Sequence, residues 1–157
     1  MKRLLIVVIL AFSTSACMST FHTKPYVMYS DTSRPLSDTV VFSTAGFVGN
    51  ANGQILSVDG KETSCWEAGC PIWVRVAPGD HKFKIRLSIY DGVSSYRQGE
   101  AEFTAIGMKP RHVYEAQFRV EGNRFHVSEK DLGENPEYGM TLGLKGVNQK
   151  FFRVVFE

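Results

Sequence analysis

The three cysteines are the residues of this 157-residue sequence best suited to covalent chemistry. Cys65 and Cys70 flank the four residues Trp-Glu-Ala-Gly, whereas Cys17 lies near the N-terminus. Two thiols at this spacing could form a structural disulfide or act as a redox pair. Catalytic dithiols generally follow a C-x-x-C pattern at the start of a helix, where the helix dipole lowers a thiol pKa. We therefore favour a structural disulfide that closes a six-residue ring from Cys65 to Cys70.

The histidines do not have the spacing of a metal site. They are His22, His81, His112 and His126. One lies in the N-terminal segment and the others are expected at strand ends or outward positions, so that nothing brings them together. The sequence also has no Gly-rich phosphate loop and no nucleophile elbow. We therefore expect no metal, no cofactor and no catalytic residue.

The first sixteen residues have the three parts of an export signal. Lys2 and Arg3 form a basic region, an uncharged apolar run follows over residues 4–12, and small residues precede Cys17. Nine apolar residues in a helix span roughly 14 Å, which is too short to cross a hydrocarbon core of about 30 Å. Residues 1–16 are therefore expected to be a signal peptide that is removed, and no other stretch could span a membrane.

Residues 14–16 and Cys17 resemble the lipobox of bacterial lipoproteins, in which the cysteine receives a lipid and becomes the first residue of the mature chain. The chain has Thr14 where that family usually carries leucine, and residues 14–16 also suit an ordinary signal peptidase. The cysteine count favours lipidation, because pairing of Cys65 with Cys70 leaves Cys17 as the odd thiol of an exported chain. The resemblance implies acyl chains, such as palmitate, on Cys17.

The residue after Cys17 bears on the destination of such a lipoprotein. Met18 stands where an enterobacterial inner-membrane retention signal would have aspartate. The resemblance therefore implies a lipid-anchored protein of the cell envelope, in the outer membrane and facing the periplasm. More than one acyl chain would meet the two-signal requirement for a stable anchor.

Composition divides the rest of the chain into a tether and one domain. Residues 17–37, which begin with the lipidated cysteine, are rich in Ser, Thr, Pro and Tyr and are interpreted as an extended tether, part of which could pack on the domain. Residues 38–157 are interpreted as the domain. Removal of residues 1–16 leaves 16 basic residues against 16 acidic residues. This balance argues against a nucleic-acid partner and against a polybasic membrane-surface protein.

Runs of β-branched and aromatic residues, separated by Gly, Pro, Asn and Asp, follow one another from residue 38 onward. The pattern predicts an all-β fold: a single antiparallel β-sandwich, Ig-like or transthyretin-like, of about 7–9 strands. The predicted strands are 39–43, 54–58, 72–76, 82–90, 101–106, 112–120, 124–127 and 151–156, with a further strand near 138–144 in the Gly-rich connection.

Two hairpins can be placed in register. The Pro-Gly pair at 78–79 suits the centre of a turn between residues 72–76 and 81–85, a register that buries Val74 against Phe83. The second hairpin turns at residues 121–124. It pairs Val120 with Phe125 and Phe118 with Val127 on the inward side.

The first hairpin gathers one aromatic and several basic residues on its outward face. These residues are Trp73, Arg75, Lys82, Lys84 and Arg86. Such a patch would suit lipopolysaccharide phosphates, another anionic glycan or glycolipid, or an acidic envelope protein, since an exposed Trp is typical of interface anchors. Alternatively it is a solvated face, which Glu100 and Glu102 partly neutralise if residues 101–106 pair back on residues 82–90.

Residues 56–60 and 73–85 resemble the PEGA-like, transthyretin-like β-sandwich modules of bacterial surface proteins and lipoproteins, whose hallmark is a strand, a Pro-Gly turn and an alternating strand. His112-Val113-Tyr114 resembles a segment often found downstream in them. The resemblance implies a non-catalytic structural or protein-binding module. We therefore expect an envelope lipoprotein that binds or scaffolds another envelope component; the alternative is a periplasmic enzyme or small-ligand carrier on the same scaffold, which would need convergent polar groups in a cavity.

Overall fold

The computed structural model describes residues 23–46, 51–65, 69–90, 96–122, 124–134 and 137–157. The predicted signal peptide and Cys17 lie outside these residues. The described part is an all-β, sandwich-like fold, as the sequence predicts, with a single 3-10 turn at Leu36–Asp38. Its strands are β1 (Tyr26–Val27), β2 (Val40–Ser43), β3 (Ala51–Val58), β4 (Lys61–Glu62), β5 (Trp73–Val76), β6 (Gly79–Tyr90), β7 (Tyr96–Met108), β8 (Val113–Glu121), β9 (Arg124–Asp131), β10 (Gly139–Leu142) and β11 (Lys150–Arg153).

Two sheets face each other across the main core. The central sheet has the strand order β1-β5-β2-β8-β9, and the outer sheet has the order β4-β3-β6-β7. The outer sheet has one face on the core and one face in solvent, and the alternation along β6 shows this. Phe83, Ile85 and Leu87 are buried, and the residues between them are not. The buried residues pack against Phe42 and Val74 of the central sheet, and the rings of Phe42 and Phe83 stack with centroids 4.0 Å apart.

The central sheet is covered on both faces. All four residues of β2 and all four of β5 are buried. Their second face packs in a separate apolar cluster beneath the β10–β11 hairpin and the last residues of the chain; that cluster contains Val41, Trp73, Val113, Met140, Val154 and Phe156. The domain therefore has three layers, and the strand predicted near residues 138–144 is β10.

Two strand pairings differ from the purely antiparallel sandwich that the sequence predicts. Strand β1 pairs with β5 in parallel, and β2 pairs with β8 in parallel, so that the central sheet is mixed. Strand β1 comes from the segment interpreted as a tether, and its residue Tyr26 and the following Met28 pack against the main core. The described part of that segment, from residue 23, therefore packs on the domain.

The two predicted hairpins have opposite outcomes. The β8–β9 hairpin forms in the predicted register, with Val120 opposite Phe125 and Phe118 opposite Val127. The hairpin across residues 78–79 does not form, because β5 pairs with β1 and β2 whereas β6 pairs with β3 and β7. The Pro-Gly segment instead carries the chain from the central sheet to the outer sheet, and Gly79 has the positive φ of 123° that its type permits.

Candidate functional site

The predicted patch of Trp73, Arg75, Lys82, Lys84 and Arg86 does not exist as one surface. Trp73 and Arg75 lie on β5 and are 0% and 4% exposed. The other three lie on β6, on the solvent face of the other sheet. The patch prediction was wrong in its premise, because the strands on either side of residues 78–79 belong to different sheets. The strand–Pro-Gly–strand unit behind the PEGA-like resemblance is therefore a crossing between layers.

Trp73 cannot act as an exposed interface anchor. Its indole lies in the second apolar cluster with Val41 and Met140. Its Nε1 is buried and has no hydrogen-bond partner among the residues that the structure describes. A buried N–H without an acceptor costs free energy, so the packing of the ring must outweigh that cost.

Arg75 is a buried cation held by neutral groups. Its Nη1 donates to Thr39 Oγ1 at 2.6 Å, and its Nη2 donates to the backbone oxygen of Val155 at 2.7 Å. The guanidinium carbon lies 5.2 Å from the ring centroid of Phe156. Burial lowers the pKa of Arg75, although an arginine remains charged at any ordinary pH. Arg75 thus joins the middle of the central sheet to the C-terminal segment.

The cations on β6 are neutralised by carboxylates on β7. Lys84 Nζ lies 2.8 Å from Glu100, Arg86 Nη2 lies 3.1 Å from the same carboxylate, and Lys82 Nζ lies 2.6 Å from Glu102. The hydrogen bonds from Lys84 and Arg86 lower the pKa of Glu100, and the hydrogen bond to Glu100 raises the pKa of Lys84. The solvated-face alternative, with β7 pairing back on β6, is confirmed in its geometry.

The disulfide is present as the sequence predicts. Cys65 and Cys70 are bonded, with Cα atoms 4.1 Å apart, and Cys70 is buried. The Thr63 hydroxyl lies 3.6 Å from Cys65 Sγ and also donates to the backbone oxygen of Ile55. Nearby, the Ile55 N–H donates to the oxygen of Pro71. These hydrogen bonds hold the residues on either side of the disulfide, Thr63 and Pro71, against the middle of β3.

The described histidines are dispersed, and each lies beside one carboxylate. His81 lies 2.6 Å from Asp59, His112 lies 2.9 Å from Asp131, and His126 lies 3.4 Å from Glu121. His22 falls outside the described residues. Within the described ranges, no three His, Cys, Asp or Glu side chains converge as metal ligands would.

Tyr138 and Glu115 form a polar pair that sequence reasoning did not single out. The Tyr138 hydroxyl donates to Glu115 Oε1 at 3.3 Å. Burial raises the pKa of Tyr138 to about 12. A Cβ atom at Gly46 would meet the Glu115 carboxylate, so that a side chain there would have to displace this carboxylate. A phenol that keeps its proton to such high pH is a fixed donor at neutral pH and not a general acid.

A groove of about 460 Å³ lies beside the C-terminal segment. It is lined by Arg111, Glu134 and residues 153–157, and we call it the C-terminal groove. Arg111 is ion-paired with Glu134 at 3.2 Å, and its N–H donates to the Thr39 oxygen. Arg111 has a φ of 65°, a conformation that a side chain other than glycine rarely adopts. The sequence signal for this position is Pro110, since Pro followed by a residue of positive φ is the pattern of a type II turn.

The described residues contain no helix of the length and hydrophobicity needed to cross a bilayer. The chain matches no known protein family, no curated protein and no solved structure.

Proposed function

We propose that this protein is a lipid-anchored lipoprotein of the bacterial envelope, held in the outer membrane by acylated Cys17. Its β-sandwich domain faces the periplasm and binds or scaffolds another envelope component without catalysis.

The observation that carries the proposal is the bond between Cys65 and Cys70. The sequence has three cysteines, so this bond leaves Cys17 as the one without a disulfide partner in the chain. Disulfides belong to oxidising compartments, in which an exported protein seldom keeps an idle thiol. A lipid on Cys17 would consume that thiol at the position where an apolar leader ends.

The surroundings of the reactive side chains support a binding or scaffolding role. The three described histidines lie apart, each beside a single carboxylate, and Tyr138 is a partly buried donor. The C-terminal groove is lined by Arg, Glu, Val and Phe residues, and Glu134 in that lining is ion-paired with Arg111. Such a lining offers both charged and apolar groups that can hold a partner.

Intact-mass analysis of the protein extracted from membranes tests the anchor. We expect a mature chain that begins at Cys17 and carries the added mass of acyl chains. A Cys17→Ser variant should lose this mass and leave the membrane fraction. The matched control is the double variant Cys65→Ser/Cys70→Ser, which keeps Cys17 and should remain acylated. A soluble wild-type product with an unmodified Cys17 would contradict the proposal.

A small-ligand carrier is the second candidate, and the C-terminal groove is the observation that favours it. Its volume of about 460 Å³ falls in the range of small-molecule sites, about 300–1,000 Å³. Its lining of charged side chains, Val154, Val155 and Phe156 would suit a ligand with a polar group and an apolar body. Native mass spectrometry of the protein released gently from membranes checks this: a co-purifying small molecule that is lost from an Arg111→Gly variant would favour the carrier.

A further inference from the structure

The β10–β11 hairpin exposes an unusual concentration of apolar side chains. We call residues 143–151 the hairpin tip. Leu144 is 69% exposed, Val147 is 79% exposed and Phe151 is 52% exposed. Lys145 and Lys150 stand among them, and neither forms an ion pair with a carboxylate in the described part of the chain. Apolar side chains interleaved with free cations are typical of segments that lie in a membrane interface.

The tip is built to keep these side chains outward. The Val147 and Asn148 N–H groups donate to the Leu144 oxygen, and the Leu144 N–H donates to Asn148 Oδ1 at 2.8 Å. Gly143 has a φ of 96°, and a Cβ atom there would collide with the backbone of Asn148. The backbone of the turn is thus satisfied by its own bonds, so that the apolar side chains are not needed to hold it.

The tip and the N-terminal chain lie at the same end of the central sheet. Tyr26 of β1 is opposite Val74 of the parallel strand β5, which places residue 23 near the end where β5 begins. Thr44, which follows β2, and Ile72, which precedes β5, mark that end of the sheet. Residues 139–142 of β10 line a groove of about 300 Å³ together with these two residues, so that β10 lies at the same end. The tip continues directly from β10.

The distance from this end of the domain to Cys17 is short. Six residue steps separate Cys17 from Thr23, and at about 3.4 Å per step they span at most roughly 20 Å. A lipid on Cys17 therefore holds the tip end of the domain within reach of the bilayer surface. A weak second contact is strengthened by such tethering, because it becomes intramolecular.

We infer that the hairpin tip is a membrane-contact site for a phospholipid bilayer with anionic headgroups. Leu144, Val147 and Phe151 enter the interface, and Lys145 and Lys150 contact lipid phosphates. The inference rests on the proposed lipid anchor, which supplies the first contact. It orients the domain: the C-terminal groove, where Arg111 bonds to the opposite end of β2, faces away from the membrane.

A fluorophore attached at Val147→Cys tests the contact in the acylated protein, reconstituted into vesicles of phosphatidylethanolamine and phosphatidylglycerol. The matched control is Ile106→Cys, since Ile106 is 69% exposed. It lies near the C-terminal end of β7, beside the start of β6 and therefore at the end of the domain opposite the tip. The native cysteines do not compete, because Cys65 and Cys70 are bonded and Cys17 is acylated. We expect the Val147 emission to shift to shorter wavelengths and to lose most of its intensity when the lipids carry a quencher near the headgroup. The Ile106 emission should change in neither respect. Lys145→Glu/Lys150→Glu should reduce the quenching at Val147.

The outcomes separate the contact from the anchor. Vesicle flotation without quenching at Val147 overturns the membrane contact and leaves the anchor standing. Flotation with quenching at Val147 but no acyl mass on Cys17 supports the contact and overturns the anchor. A protein that does not float at all overturns both. A Val147 shift that grows with protein density and resists the lipid quencher would show contact with a second copy of the chain, and would also overturn the inference.

Discussion

The Arg75 guanidinium carbon lies 5.2 Å from the ring centroid of Phe156, so that the middle of the central sheet is fastened to the next-to-last residue of the chain. The bond from Arg75 to the Val155 oxygen holds the same segment. Beneath it, Val154 and Phe156 complete the cluster around Trp73. The C-terminal segment, residues 154–157, is therefore a structural part of the second apolar cluster.

Arg75→Ala is expected to lower the free energy of unfolding by about 3 kcal/mol or more, because it opens a cavity and leaves the Val155 oxygen unpaired. Arg75→Met keeps an apolar stem against Phe156, so that its cost should be smaller, about 1–3 kcal/mol. Arg86→Ala, at a solvent-facing position of β6, is the control and should stay within about 0.5 kcal/mol of wild type. Denaturant unfolding measures all three. Equal losses at 75 and 86 would show that Arg75 does not hold the segment.

Replacement of both Cys65 and Cys70 with serine is expected to lower the free energy of unfolding by about 2 kcal/mol, since the six-residue ring no longer restricts the unfolded chain. The circular dichroism spectrum should remain that of a β protein. Thermal unfolding with and without reductant gives the measurement. The double variant should be insensitive to reductant, and a wild-type melting temperature that reductant leaves unchanged would contradict a stabilising disulfide.

Tyr138 should make the fold sensitive to alkali. Its pKa is about 12 in the folded protein and about 10 in an unfolded chain, so the folded state binds the proton more tightly. The resulting stability, about 2–3 kcal/mol, is complete below pH 10 and is lost as the pH rises toward 12. Denaturant unfolding at several pH values measures this loss of stability. Tyr138→Phe should reduce the loss, whereas Tyr90→Phe, at an exposed tyrosine, should leave it unchanged. An unchanged loss in Tyr138→Phe would refute the assignment.

Arg111 should tolerate glycine better than valine, because its φ is 65°. The free energy of unfolding of Arg111→Gly is expected to lie within about 1 kcal/mol of the wild-type value. That of Arg111→Val should be about 1–2 kcal/mol lower, since a β-branched side chain is strained at positive φ. The opposite order should hold at Arg119, an exposed position of strand β8, where valine suits extended backbone. If glycine and valine ranked in the same order of stability at both positions, the positive φ of Arg111 would not be the cause, and the prediction would be wrong.

The sequence was most informative where neighbouring residues decide the structure. Alternation and turn residues predicted an all-β fold, and the turn at residues 121–124 predicted the β8–β9 register, because both depend on residues close together in the chain. The disulfide followed from spacing and composition alone. The Pro-Gly pair at 78–79 predicted a reversal, but a reversal can join strands within a sheet or pass between two sheets.

The buried state of Trp73 and Arg75 could not be read from β5 itself. Its alternation of Trp-Val-Arg-Val resembles a strand with one solvent-exposed face. The cover of its second face comes from distant parts of the chain: Met140 packs in the cluster with Trp73, and Val155, 80 positions after Arg75, accepts the Arg75 bond. A partial signal lay in β2, where Val41 and Phe42 make both faces apolar, which is typical of a strand in a sheet covered on both sides. The C-terminal groove depends on the same distant segment, so that its residues had no local pattern to mark them.

The position of the C-terminal segment also bears on how the protein is made. A chain that emerges from its N-terminus first lacks the full cover of Trp73, and the Val155 oxygen that the Arg75 guanidinium bonds, until residues 154–157 have appeared. The parallel pairing of Val41 with Val113 likewise waits for a distant partner, and contacts between distant residues form slowly. Without residues 154–157 the central sheet would expose an apolar surface, and Arg75 would lose its bond to Val155; such surfaces are ones that chaperones and proteases act on. The contacts of residues 154–157 with β5 are therefore among the late contacts of this fold.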